Sequence, residues 1–85
     1  MFYFYVLQSL KDKKLYSGYS DDLRSRFEKH RSGSVKSTKD RRPLNLVYYE
    51  AYRSEKDARN RERQIKKRAK AFISLKRRII NSIIE

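Results

Sequence analysis

The fold is decided by the stretch Tyr3-Phe4-Tyr5-Val6-Leu7, which a short polar loop joins to Leu15-Tyr16-Ser17-Gly18. Every side chain of the first segment is apolar or aromatic, so both faces of a strand with a period of two would be apolar. This pattern predicts a strand that is covered on both sides. After the loop Lys11-Asp12-Lys13, a second short strand runs to Gly18, whose missing Cβ permits a tight exit or the close approach of another group.

A helix is predicted to start abruptly after this second strand. Ser20 is a suitable N-cap, and Asp21 and Asp22 would place negative charge at the positive end of the helix dipole. Leu23 and Phe27 lie four residues apart and are predicted to form the buried stripe of this helix.

Two further residues of this helix, Arg26 and His30, are also four residues apart and therefore share one face. Their guanidinium and imidazole are predicted to project together near the side that packs on the sheet. Each has a plainer interpretation, His30 as an ordinary core or surface histidine and Arg26 as the ion-pair partner of a carboxylate. Arg24 faces elsewhere and is predicted to meet solvent or a phosphate backbone.

The segment 31–43 is predicted to be a loop, because it combines Gly33 and Pro43 with small hydroxyl and basic residues. Its basic side chains could follow a phosphate backbone while Ser37 and Thr38 supply neutral hydrogen bonds. The alternative is a mobile, solvated connection.

The segment 44–52 is predicted to be the third strand. Both of its faces are largely apolar or aromatic, which favours a position well inside the sheet. Glu50 is the exception in this segment, and it could simply pair with one of the many cations of the chain.

A second helix is predicted to begin at Ser54-Glu55-Lys56-Asp57, which resembles a capping box. Ala58, Glu62, Ile65 and Ala69 then recur at spacings of four, three and four, the pattern of one buried stripe. Glu62 thus lies on a face that should be apolar, where a carboxylate is costly unless it is paired or binds a cation. On the spacing alone, a salt bridge to Arg26 or another arginine and a metal-binding role are both open.

The last segment, from Ala71 onward, predicts an amphipathic helix, separated from the second helix by a break near Arg68 to Ala71 or continuous with it. Its apolar stripe is predicted to close the core, since a three-stranded sheet needs cover. A membrane or partner-binding role is the alternative. Incomplete burial of the segment 79–84 would favour a homodimer.

The composition favours a polyanionic partner. The chain has 85 residues, with 23 Lys and Arg against 10 Asp and Glu, so its formal net charge is +13. Basic groups near phosphates release counterions and strengthen binding to nucleic acid. Solubility alone and attraction to an anionic membrane surface are the alternatives.

Size and residue usage narrow the class further. The chain is predicted to form one small domain, and the absence of cysteine excludes disulfides and thiolate metal sites. It shows no signal-peptide pattern and no segment long enough to span a membrane. These features together favour a cytoplasmic protein.

The arrangement resembles the GIY-YIG nuclease superfamily, whose signature is two tripeptides on adjacent strands followed by a helix with an arginine and often a histidine. Tyr3-Phe4-Tyr5 keeps the last tyrosine of the first tripeptide, and Tyr16-Ser17-Gly18 keeps the first and last residues of the second. The stronger part of the match is Gly-x-Ser-x-Asp-Leu-x-x-Arg-Phe-x-x-His, from Gly18 to His30. The chain is most similar to small stand-alone bacterial members that are like the N-terminal domain of excinuclease C.

This resemblance implies an α/β (α+β) domain in which helices flank a small three-stranded, mainly antiparallel sheet, in the order β-β-α-β-α-α. It also implies a magnesium-dependent DNA endonuclease. Tyr5 and Tyr16 would surround the attacking water, Arg26 would stabilise developing charge with His30 beside it, and Glu62 would bind one Mg²⁺ or Mn²⁺.

The resemblance implies DNA as the partner, with branched or damaged DNA as candidate substrates and repair or recombination as the setting. The last helix could join a homodimer or a larger repair assembly. The rival is a non-catalytic nucleic-acid-binding module that retains the nuclease scaffold. Several related families carry an asparagine near the C-terminus, but Asn81 lies in an apolar helix and is not assigned that role. The residues predicted to contact nucleic acid are Gly18, Arg24, Lys36, Lys39, Arg41, Arg42 and Lys66.

Overall fold

Strand β1 (Phe2–Ser9) is the centre of a three-stranded antiparallel sheet with the order β2-β1-β3. Strand β2 (Leu15–Ser20) pairs with one side of β1, and β3 (Leu44–Tyr52) pairs with the other. This computed structural model describes residues 1–83. The α+β class and the antiparallel three-stranded sheet are confirmed.

Three helices complete the predicted order β-β-α-β-α-α. Helix α1 (Leu23–Ser32) follows β2, and helices α2 (Glu55–Lys67) and α3 (Ala69–Arg78) follow β3. Short 3-10 turns lie at Lys39–Arg41 and Ile80–Ser82. The break between α2 and α3 falls at Arg68, within the predicted interval.

Strand β1 is covered on both faces, as its sequence predicts. Phe4 and Val6 belong to a core with residues of α2 and α3, whereas Tyr5 and Leu7 belong to a second core beside α1. All four side chains are at most 1% exposed. Because successive side chains of a strand point to opposite faces, the central strand supplies both cores.

The position of β3 in the sheet differs from the prediction. β3 is an edge strand, because β2 and β3 both pair with β1 and neither has a further neighbour among the described residues. Its aromatic residues meet other parts of the fold instead. Tyr49 is 53% exposed and packs edge-on against Tyr3, with 6.0 Å between the ring centroids.

The start of α1 also differs from the prediction. The pairing of Ser20 with Tyr3 prolongs β2, so the N-cap is Asp22, whose carboxylate accepts a hydrogen bond from the Ser25 amide at 3.2 Å. Asp21 and Asp22 therefore precede the first helical turn. Ser20 supports the turn by accepting a hydrogen bond from the Asp22 amide.

The last helix is shorter than predicted. It ends at Arg78, and two successive β-branched residues follow, Ile79 and Ile80, which are poorer helix formers than the residues before them. Ile79 is buried in the core, whereas Ile80 is 51% exposed. Ile83 packs against the core, and Ile84 lies outside the described residues.

Glu50 fixes α2 against β3. Its carboxylate accepts hydrogen bonds from the hydroxyls of Tyr48 and Tyr52, and from Arg61 Nε at 3.0 Å. Burial alone would raise the pKa of Glu50, but these donors outweigh it and hold the pKa below its usual value. Burial, and then the hydrogen bond with Glu50, raise the pKa of Tyr52 to about 12. The pairing of Glu50 with a cation is confirmed, and it sets the position of the residue after Arg61, which is Glu62.

Candidate active site

The central contact of the site joins β1 to α1. The hydroxyl oxygen of Tyr5 lies 2.8 Å from Nε2 of His30, and the two rings meet edge to face. His30 is fully buried, and its second ring nitrogen, Nδ1, lies 2.7 Å from Oγ1 of Thr38. Strand alternation brings Tyr5 to this face of the sheet, and the last turn of α1 brings His30.

The imidazole of His30 is neutral in the folded protein. Burial, and then the positive charge of Arg26, lower the pKa of His30 from 6.5 to about 4. A neutral imidazole has one N–H donor and one free acceptor, so at neutral pH this side chain can both donate and accept a hydrogen bond.

A pH titration tests this electrostatic assignment. His30 is the single histidine of the chain, so its NMR signals are expected to show no titration between pH 7.5 and pH 5.5. The unfolded chain binds the proton near pH 6.5 and the folded chain near pH 4. The contribution of His30 to the free energy of unfolding is therefore fully present above about pH 6.5, and about 3 kcal/mol of it is lost as the pH drops to about 4. Titration of His30 near pH 6.5 in the folded protein would contradict the assignment.

Tyr16 and Arg26 lie next to the Tyr5–His30 pair. The ring of Tyr16 meets His30 edge to face with 5.3 Å between centroids. A hydrogen bond with Tyr5 raises the pKa of the Arg26 guanidinium, and Tyr16 contributes in the same direction. The buried Nε of Arg26 has no hydrogen-bond partner within residues 1–83. Arg26 thus has unused donor capacity beside two tyrosines.

Burial has the larger influence on Tyr5. It raises the pKa of the phenol, although the Arg26 guanidinium opposes that effect. Tyr5 therefore keeps its proton at neutral pH, and it can act as a base only if that proton has somewhere to go. The group next to the Tyr5 hydroxyl is Nε2 of His30, which accepts that proton in the tautomer that leaves Nε2 unprotonated.

Glu62 is the carboxylate of this site. Its negative charge contributes to the raised pKa of Tyr5, and its side chain is 24% exposed. Its partner is Lys66, one helical turn further on, at 3.0 Å, so the alternative of a salt bridge to an arginine is wrong for this carboxylate. The ammonium of Lys66 also lies 5.8 Å from the ring centroid of Tyr16.

The residues of the site fit one weakly held divalent cation. No group of three or more acidic or histidine side chains occurs together in residues 1–83, so a complete protein cage is not formed there. Mg²⁺ commonly takes one or two carboxylates and completes its shell with water and substrate phosphate oxygens. The accessible carboxylate of Glu62 suits that mode, and in the free protein it forms a salt bridge with Lys66.

Gly18 lies directly under Tyr5. A Cβ atom at this position would be 2.5 Å from both Cζ and the hydroxyl oxygen of Tyr5. The close approach that the sequence predicts at this glycine is therefore made by the Tyr5 ring, and Gly18 itself is buried. Its influence on nucleic acid is expected to act through Tyr5.

Gly18→Ala is accordingly expected to move the Tyr5 ring and to break its hydrogen bond with His30. Overpacking of a buried site costs about 1–3 kcal/mol, which chemical denaturation would measure. Ser17→Ala, the neighbouring position on β2, is the matched control and should cost less. Equal stability of Gly18→Ala and the wild type would contradict the packing described for this position.

The predicted nucleic-acid contacts separate into two groups. Lys66 belongs to the site, whereas Arg24 is exposed on α1 and lines a shallow groove with Tyr3 and Tyr49. Of the predicted contacts in the segment 33–43, Lys36, Lys39 and Arg42 are exposed, whereas Arg41 is half-buried, with its Nε 3.5 Å from the Asp12 carboxylate.

This segment is tied to the end of β1. Ser9 Oγ donates to the Arg41 carbonyl at 2.6 Å, and the Leu10 amide donates to the Pro43 carbonyl at 2.8 Å. Thr38 is fully buried, so the expected hydrogen bond from its hydroxyl to a phosphate is replaced by the contact with His30. Nothing in the spacing of His30 and Thr38 signals this contact, because it depends on the path of the loop.

A second polar cluster was not predicted. The Tyr19 hydroxyl donates to Glu55 at 2.8 Å, and the guanidinium of Arg59 lies 4.1 Å from the centroid of the Tyr19 ring. These residues and Arg26 line an open groove of about 440 Å³ between the starts of α1 and α2. The groove reaches the candidate site from one side.

The fold and the candidate site define a class of protein. The chain belongs to the GIY-YIG family, since the family model of the GIY-YIG catalytic domain matches residues 1–78. Among similar proteins is a UPF0213 protein of Pediococcus pentosaceus, 44% identical over 71 residues that cover 82% of this chain and 74% of the relative. A UPF0213 protein of Staphylococcus aureus is 43% identical over 65 residues, or 75% of this chain and 79% of the relative.

A solved structure agrees with this assignment. The solution NMR structure of a UPF0213 protein from Bacillus halodurans has a TM-score of 0.52 and 38% sequence identity, and it covers 89% of this chain and 86% of that chain. The family membership and the fold predicted from the sequence are therefore confirmed. Within residues 1–83, no helix is long and apolar enough to cross a membrane.

Proposed function

We propose that this protein is a metal-dependent endonuclease that hydrolyses phosphodiester bonds in DNA. The observation that carries the proposal is the convergence of Tyr5, Tyr16, Arg26, His30 and Glu62, through hydrogen bonds, ring contacts and mutual charge effects, on one site of a GIY-YIG domain. Hydrolysis needs an activated water, neutralisation of phosphoryl charge and help for the leaving oxygen. These residue types can meet all three needs.

Arg26 is proposed to bind the scissile phosphate. Its unpaired Nε and its interaction with Tyr5 would leave a bound phosphate beside the Tyr5 hydroxyl. A guanidinium donates charge-assisted hydrogen bonds to phosphate oxygens, and these strengthen as charge develops in the transition state. Tyr16, the more exposed of the two tyrosines, would help to position the attacking water.

Tyr5 is proposed to take the proton from that water while its own proton passes to His30. The proton rests on Tyr5 in the free protein, because the pKa of Tyr5 is raised and that of His30 is about 4. Transfer therefore accompanies attack rather than preceding it. Phosphate binding would offset the charge of Arg26, which is one of the two causes of the low pKa of His30, and would make His30 a better acceptor.

Glu62 is proposed to hold the divalent cation, Mg²⁺ or Mn²⁺, after release from Lys66. When bound, this ion would supply charge neutralisation at a phosphate oxygen and at the leaving oxygen. Lys66, freed from Glu62, would carry a positive charge toward the DNA backbone.

The proposed partner is DNA, with branched or damaged structures as the first substrates to examine and repair or recombination as the setting. The formal net charge of +13 supports a polyanionic partner. The DNA backbone is proposed to contact four exposed basic side chains, those of Arg24, Lys36, Lys39 and Arg42. Ile73 and Ile80, about half exposed, make a homodimer or a larger assembly through the last helix a secondary proposal.

The test is incubation of purified protein with supercoiled plasmid and with a branched duplex, each with Mg²⁺, with Mn²⁺ and with excess chelator. Metal-dependent nicking by the wild type, lost in Arg26→Ala and kept in Arg31→Ala, is the expected result. Arg31 is the matched control because it lies on the same helix, is exposed and pairs with Glu28. Salt-sensitive binding without any cleavage would instead support a non-catalytic nucleic-acid-binding module on the nuclease scaffold.

A further inference from the structure

The second hydrogen bond of His30 decides which of its nitrogens is free. A neutral imidazole carries its proton on either Nδ1 or Nε2, and only the other nitrogen can accept. Nδ1 lies 2.7 Å from the hydroxyl oxygen of Thr38, and Nε2 lies 2.8 Å from the hydroxyl oxygen of Tyr5. Both partners are hydroxyls, which can donate or accept, so the pair of distances alone permits either tautomer.

Burial and the neighbouring Arg26 favour one arrangement on the Tyr5 side. Tyr5 is 1% exposed, and a buried hydroxyl donates to an acceptor within reach. The Arg26 guanidinium can only donate, so it cannot be that acceptor. The proton of the Tyr5 hydroxyl is then available to the neighbouring Nε2. With Nε2 accepting, the proton of the imidazole must be on Nδ1, and Thr38 Oγ1 must accept it.

We infer that Thr38 is a positioning residue that holds His30 in the Nδ1–H tautomer and so keeps Nε2 free to receive the proton of Tyr5. This inference rests on the proposed nuclease function and deepens it. During attack, the water gives a proton to Tyr5, and Tyr5 gives its own proton to Nε2. His30 then carries protons on both nitrogens, and Thr38 still accepts from Nδ1. In the opposite tautomer Nε2 already carries a proton, and the transfer from Tyr5 is blocked.

The fold fixes the Thr38 hydroxyl independently of any ligand. Thr38 is fully buried, with 0% of its surface accessible to solvent. Its amide donates to the Val35 carbonyl at 3.1 Å, and its carbonyl accepts from the Arg41 amide at 2.9 Å. The Arg41 carbonyl in turn accepts from Ser9 at the end of β1. The loop therefore anchors Thr38 to the same strand that carries Tyr5.

The first test needs no variant and no DNA. The protein has one histidine, so the ¹⁵N chemical shifts of its ring report the tautomer directly. The wild type at pH 7 is expected to show a protonated Nδ1 and an unprotonated Nε2. A protonated Nε2 would overturn the inference, whether or not the protein cleaves DNA.

The second test uses three variants. Thr38→Val keeps the shape but removes the hydroxyl, Thr38→Ser keeps the hydroxyl, and Ser37→Ala is the matched control at the exposed neighbouring position. Removal of a group that orients a metal-bound histidine costs about 10-fold to 100-fold in activity, and a loss of the same order is expected for Thr38→Val in single-turnover cleavage. DNA affinity should stay unchanged, and Thr38→Ser should recover most of the rate.

The outcomes separate the two proposals. A Thr38→Val protein that retains the wild-type tautomer would overturn the role of Thr38, whatever its rate. A wild type with the Nδ1–H tautomer that cleaves no DNA would contradict the nuclease function while leaving the positioning contact in place. If Thr38→Val does not fold, the tautomer of the wild type and the behaviour of Thr38→Ser still test the role of Thr38. Because serine keeps the hydroxyl, a slow Thr38→Ser protein with a changed tautomer would contradict that role.

Discussion

Glu62→Gln is expected to abolish metal-dependent DNA cleavage while the protein still folds and binds DNA. The amide keeps the size of the side chain but cannot supply the anionic oxygen that Mg²⁺ requires. Charge stabilisation by a metal ion contributes several kcal/mol, and each 1.4 kcal/mol changes a rate about tenfold. The single-turnover rate should therefore fall by at least about 100-fold.

Three observations accompany this result if Glu62 has the proposed role. DNA affinity should be equal or slightly greater, since one negative charge is removed from a basic surface. Glu28→Gln, an exposed carboxylate on α1 that pairs with Arg31, should retain the wild-type rate. Thermal unfolding should show that Glu62→Gln is folded, because the lost pair with Lys66 is a partly exposed one on a helix surface. A folded Glu62→Gln protein with the wild-type rate would remove Glu62 from the mechanism.

Tyr5→Phe is expected to be the most damaging substitution on the sheet. It removes one hydroxyl that both meets the Arg26 guanidinium and hydrogen-bonds with His30. Proton transfer by a positioned side chain contributes about 10²–10⁴-fold to a rate, so the single-turnover rate is expected to fall within that range. The assay is cleavage of bound plasmid on addition of Mg²⁺, at protein concentrations that saturate the DNA.

Tyr3→Phe is the matched control for this substitution. Tyr3 lies two residues earlier on the same strand and meets Tyr49 instead of the site, so the loss of its hydroxyl should leave the rate near that of the wild type. Tyr16→Phe separates the two tyrosines of the site. A severe loss in Tyr16→Phe together with a near-normal rate in Tyr5→Phe would assign the proton transfer to Tyr16.

The local sequence patterns predicted most of the fold because they depend on short-range rules. Alternation in β1, the left-handed Gly33 at the end of α1 and the Ser54 cap of α2 all behave as their residue types indicate. The pairing of strands is a different matter. β3 has apolar residues on both faces because helices and neighbouring side chains meet it on both faces, and this pattern does not distinguish an edge strand from a central one.

In the candidate site, too, the contacts set by local spacing could be predicted, whereas those set by long-range packing could not. Helical spacing places Arg26 and His30 together, and the resemblance adds Tyr5, Tyr16 and Glu62 to them. Thr38 could not be predicted as the partner of His30, since a loop brings it there through hydrogen bonds to the end of β1. Lys66 was predicted as a DNA contact, and its pairing with Glu62 follows from their separation of one helical turn.

The central claim is that these side chains act as one catalytic unit, and a comparison of four proteins tests it most directly. Plasmid nicking in Mg²⁺ would be measured for the wild type, Tyr5→Phe, Glu62→Gln and the double variant. Residues that act as a unit are strongly non-additive, so the double variant is expected to be no slower than the more severe single variant. Equal nicking by all four folded proteins would contradict the claim, because the activity would then arise outside this site.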